Sequence, residues 1–150
     1  MKKAITALLC AGLLLIAAAP AWASNECYTL AGGAFFGGDM TLILTIGASS
    51  DGGEVLTVTG KGVDPAHDPI FLHGAAKTSA HVKEFSLHGS GPHIYSGLGG
   101  SSHFVSVIYE YHLTLGLGDG GWTGNYAGEI HTSEGDEKNV SGAATEVSCP

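Results

Sequence analysis

Arginine is absent from this 150-residue sequence, and tryptophan occurs only at positions 22 and 122. Without a guanidinium, bidentate recognition of phosphate or carboxylate has no donor fork to work with. Cysteine is scarce. Cys10, Cys27 and Cys149 show no Cys-x-x-Cys spacing, and no His-x-x-x-His pair occurs, so the common zinc and thiol-exchange signatures are missing. There is no Gly-x-Ser-x-Gly elbow, and Ser102 beside His103 would point to opposite faces of a strand. No catalytic set is assigned. Nothing repeats at a fixed period, which argues against a propeller or solenoid.

What is present begins with a targeting pattern. Lys2 and Lys3 precede an apolar run, Ala4 to Ala19, and Ala21-Trp22-Ala23 offers the small residues signal peptidase accepts. Residues 1–23 are expected to be a cleaved signal peptide, and 24–150 one exported domain, periplasmic or secreted. An uncleaved anchor is the competing reading, disfavoured by Pro20 and the Ala-x-Ala site. Leu9 before Cys10 does not suit lipidation, which needs a small residue there. With Lys2 and Lys3 removed, four lysines remain against fourteen carboxylates, a net charge of −10. Nucleic acid and anionic membrane surfaces are poor partners for such a chain, whereas a basic protein suits it. Cys27 and Cys149 are expected to form a disulfide tying the first strand to the last, which chain entropy values at about 5 kcal/mol.

Two-residue alternation dominates the mature sequence. His103 to Thr132 reads as a long hairpin turning at Gly116–Gly121, with Leu115 facing Trp122, Tyr111 facing Tyr126, and Gly124 and Gly128 opposite larger side chains. One face is apolar. The other carries Ser106, Ile108, Glu110, His112 and Thr114 against Thr123, Asn125, Ala127, Glu129 and His131. Further strands are expected at Tyr28–Phe36, Met40–Ile46, Glu54–Gly60, Ile70–Ala76, His81–His88 and Val140–Val147. Gly89–Ser102 reads as loop with a short strand at His93–Tyr95. About eight short antiparallel strands with stapled ends predict an all-β, closed or nearly closed barrel, with a β-sandwich as the alternative.

The stretch Trp122-Thr123-Gly124-Asn125-Tyr126-Ala127-Gly128 resembles the Trp-Ser/Thr-Gly-x-Tyr strand of avidin-type biotin barrels. The likeness covers seven residues and implies a barrel. It does not imply biotin, because a tryptophan-rich pocket has no counterpart when Trp122 is the one indole left after processing.

Three functions fit these residues. The leading one is a non-enzymatic binding barrel for a small, mostly apolar ligand, contacted by Tyr109, Tyr111, Trp122 and Tyr126; the same residues could equally fill a core. The second is capture of zinc or copper. Eight histidines lie in the mature chain, and the Pro-stiffened loop Asp64-Pro65-Ala66-His67-Asp68-Pro69, followed by His73, is the candidate ligand set. The face holding Glu110, His112, Glu129 and His131 spreads its donors too far along the strands for one compact site in the expected register. The acidic turns lack EF-hand spacing for calcium. The third is an acidic module engaging a basic exported partner.

Overall fold

Alternating apolar positions need a shared interior, and here eight strands wrap around one. The computed structural model describes residues 23–35, 37–48, 55–63, 69–96 and 102–150. Its strands are β1 (Ser24–Leu30), β2 (Met40–Gly47), β3 (Val55–Val63), β4 (Ile70–Thr78), β5 (Val82–Ser96), β6 (Ser102–Gly118), β7 (Gly121–Thr132) and β8 (Glu137–Val147). Each pairs antiparallel with the next, and β8 pairs with β1, closing an up-and-down barrel. Closure leaves no unpaired edge, which a sandwich would have exposed.

β2 shows how sequence becomes wall. Met40, Leu42, Leu44 and Ile46 point inward and are buried, whereas Thr45 points out opposite Thr59 of β3. In β6, Val105, Val107, Tyr109, Tyr111, Leu113 and Leu115 are buried in the same alternating way. The outward residues between them include Glu110, His112 and Thr114. An apolar interior inside a largely polar wall is the reverse of a barrel built to face lipid.

The β6–β7 register differs from the expected one by two residues. Leu117 faces Trp122, Leu115 faces Gly124, Leu113 faces Tyr126 and Tyr111 faces Gly128. The strands run on through Gly116 and Gly118, and the chain reverses tightly at Asp119-Gly120, with Gly121 at φ 103°. An even shift preserves which side chains point inward, so both faces are as expected while the cross-strand partners change.

Two further boundaries are corrected. β1 ends at Leu30, not Phe36, because Gly32 takes φ 70° and the chain turns across the barrel end. Phe36 itself lies outside the described residues. The expected loop Gly89–Ser102 is strand as far as Ser96, pairing with β6 throughout. Glycine serves close packing there: a Cβ at Gly89 would come within 2.4 Å of Leu72, and one at Gly91 within 2.9 Å of Ile70. Pro92 is tolerated in this strand because Ser106, opposite it, bonds through both backbone groups to Ser133 instead.

Candidate functional site

Of the four residues expected to contact a ligand, three fill the barrel. Tyr109, Tyr111 and Tyr126 are at most 3% exposed, and Tyr28 is fully buried beside them in the same cluster. Tyr111 stacks on Tyr109 with centroids 5.9 Å apart and meets Tyr126 edge-on at 6.1 Å. The Tyr111 and Tyr126 hydroxyls reach the chain crossing one end of the barrel, while that of Tyr109 is paired with His93 Nε2 at 2.6 Å. Tyr111 donates to the Gly33 carbonyl at 2.6 Å and Tyr126 to the Ala31 carbonyl at 2.7 Å. Lys138 donates to the Phe35 carbonyl at 2.6 Å, and Asp39 accepts from the Gly32 N–H at 3.0 Å. Buried phenols need such partners, and here they plug one end with the segment 31–35. Burial, together with the nearby Asp39 carboxylate, raises the Tyr126 hydroxyl above its ordinary pKa.

Trp122, the fourth, sits half-buried at the opposite end. Its ring lies 4.6 Å from the Lys83 ammonium, which bonds both carboxylate oxygens of Glu26 at 2.7 Å. Tyr28 donates to the same carboxylate, and Glu146 accepts from the backbone N–H of Trp122 at 2.9 Å. Burial pushes the Tyr28 hydroxyl far above the usual phenol range, and its bond to ionised Glu26 and the charge of Glu146 push the same way. Lys83 is only 6% exposed. A buried ammonium is tolerated here because a carboxylate, a phenol and an indole face surround it. Its inward position follows from parity with Phe85 and Leu87, a signal the sequence reading did not use.

The Cys27–Cys149 bridge is present, with Cα atoms 5.2 Å apart and 122 residues between the partners in sequence. It joins the start of β1 to the chain just beyond β8, as expected, and is compatible with an oxidising exported location.

Of the expected metal ligands, Asp64, His67 and Asp68 lie outside the described residues. His73 lies on the outer wall, on β4. There the strands form a cross-strand row that sequence reasoning missed: His73 faces His88, His88 faces Glu110, and Glu110 faces Glu129. In the expected register Glu110 would have faced Ala127, so only the true turn brings the two carboxylates together. His88 Nδ1 is 3.4 Å from Glu110 Oε1, and His131 lies between Glu129 and Glu137, 3.5 Å from each. Among the described residues, no three His, Cys, Asp or Glu side chains converge on a metal position as they stand.

The same wall carries an apolar face. Phe104 is 76% exposed and Phe71 71%, with Ile108 and Ile94 near half exposure. Ile94 faces Phe104 across β5–β6, while Phe71 and Ile108 flank Ser90 on the neighbouring strands. Parity with buried Tyr109 assigns Phe104 and Ile108 outward, so this face was readable once β6 was known to run unbroken. Concavities among the described residues also lie along the outer wall, one between Ala75, Ser86 and His112, another between His112, Ala127 and Glu129. No protein-family model, no curated protein and no solved structure matches this chain.

Proposed function

We propose that this chain is an exported, non-enzymatic binding protein that uses the outer wall of β4–β6 rather than the barrel interior. The observation that carries the reading is the exposed apolar face of Phe71, Ile94, Phe104 and Ile108 on a wall that is otherwise largely polar. Single exposed apolar residues are ordinary, whereas four on three adjacent strands mark a contact surface. The interior positions between the plugged end and the Lys83–Glu26 pair are taken by tyrosines and aliphatic side chains. Side chains packed there favour the wall over the interior as the contact surface.

The concavities of this wall lie beside Ala75, Ser86 and His112 and beside His112, Ala127 and Glu129, away from the four exposed apolar side chains. The partner those four side chains suit is an apolar surface on another exported protein. Glu110, Glu129 and Glu137 beside this face, and the mature charge of −10, favour a partner with basic residues around its apolar centre. Export is supported by the amino-terminal pattern of Lys2 to Ala23 and by the Cys27–Cys149 bridge.

A photoreactive phenylalanine analogue at position 104 tests this in the native compartment. It should give one adduct of defined mass, suppressed by high salt and by the added change Phe71→Ser. The same analogue at Thr57, on the outer wall of β3, serves as control. Equal adducts from both positions would refute a specific face.

A further inference from the structure

We infer that His73, His88 and Glu110 form a site for a divalent transition-metal ion, zinc or copper, on the outer wall of β4–β6. His73 and His88 are directly opposed across two paired strands, and both side chains are on the exposed outer wall. Their ring centroids are 6.1 Å apart with planes 33° from parallel. An imidazole bound at about 2.0–2.1 Å has its ring centre roughly 3 Å from the ion, so two rings sharing one ion have centres about 5–6 Å apart. As they stand, the two rings are already at nearly that spacing.

The third donor is equally fixed by register. Glu110 is opposite His88, with Oε1 3.4 Å from Nδ1. Two imidazoles and one carboxylate are a donor set that zinc and copper accept, with water completing the shell. The three side chains do not converge as they stand, although His88 and Glu110 already approach each other. Convergence on one ion asks for rotation of these exposed side chains about their own bonds, with the strand pairing that sets the row left in place.

A second, independent feature calls for a cation. Glu110 is directly opposite Glu129 across β6–β7. Like charges directly opposite each other destabilise a sheet unless a positive charge lies nearby. An ion bound by Glu110 relieves that repulsion on the very strand that supplies the ligand. The surrounding negative charge of the mature chain draws cations to the wall in general.

Calorimetric titration of zinc into the full, disulfide-bonded, metal-free chain tests the assignment, with Cu²⁺ electron paramagnetic resonance as a second readout. One ion per chain should bind at micromolar concentration, and the copper spectrum should show coupling to two nitrogens. His73→Ala and His88→Ala should each weaken binding at least tenfold, and the pair should abolish it. Glu110→Gln should weaken it several-fold. His112→Ala, outside the row, should leave it unchanged, and near-ultraviolet circular dichroism should confirm that every variant folds. Absence of saturable binding by the parent chain would overturn the site. So would full affinity in the double variant, and loss of binding on His67→Ala would then assign the metal to the Asp64–Asp68 loop.

Discussion

Tyr111 and Gly128 face each other across β6 and β7, and the tyrosine ring lies over the position a side chain at 128 would need. A Cβ there would be 2.7 Å from Tyr111 Cδ1 and 2.4 Å from the Glu110 carbonyl. This buried aromatic is thus seated by a missing methyl group on the next strand. Gly128→Val should cost about 1–3 kcal/mol by overpacking, read as a lower urea midpoint at unchanged slope. Gly120→Ala, at a turn position with open space around it and no positive φ, should change stability by less than about 0.5 kcal/mol.

Tyr111→Phe keeps the ring and removes the hydroxyl that donates to the Gly33 carbonyl. The carbonyl lies in a buried stretch, so the change should cost about 1–3 kcal/mol. Amide exchange should quicken in residues 31–35 more than in β7. Uniform quickening across the barrel would show that this segment does not open separately from the whole.

At the other end, Lys83→Met should leave the Glu26 carboxylate beside Tyr28 and Trp122 without its counter-charge. Breaking a buried pair from one side costs about 3–5 kcal/mol, and the partly open Glu26 places this case toward the low end. Adding Glu26→Gln should recover part of the loss, a coupling that a double-mutant cycle measures. Trp22 belongs to the expected signal peptide, so Trp122 fluorescence in the mature chain reports on this end alone. Its emission should change on Lys83→Met and stay constant on Tyr111→Phe.

Alkaline pH should destabilise the fold through Tyr28. Its folded-state hydroxyl is held well above the ordinary value of 10.0, chiefly by burial and then by Glu26. The unfolded tyrosine ionises first, so the unfolded state loses protons that the native state retains. Stability is therefore fully present below pH 10 and declines as pH rises beyond it. Tyrosinate absorbance followed against pH should show a phenol that ionises only with unfolding. Tyr28→Phe should flatten the decline, and an unaltered alkaline profile in that variant would refute the assignment.

Cys149→Ser removes a cross-link over a 122-residue separation and should cost up to about 5 kcal/mol. Intact mass of the exported protein should correspond to a chain beginning at Ser24 and two hydrogens short of the reduced form. A Met1 start or two free thiols would refute this processing scheme.

The sequence by itself determined most of the strands, the two faces of the central hairpin, the disulfide partners and the all-β class, with a barrel ahead of a sandwich. These rest on local alternation and on composition, and alternation survives any even change of register. Tyr109, Tyr111 and Tyr126 were therefore correctly grouped on one face before their partners were known. Tertiary structure alone decided the rows across the strands. A two-residue difference at the Asp119-Gly120 turn leaves every face unchanged, yet it sets Glu110 opposite Glu129 and Tyr111 opposite Gly128. The strand through Gly89 and Gly91 was equally illegible, since glycine signals a loop unless Leu72 and Ile70 are known to occupy the space beside it. His73 and His88 are fifteen positions apart, with nothing local to link them, and become neighbours because Phe71 pairs with Ser90. Pairing is a property of two strands and the turn between them, and no periodicity within one strand encodes it.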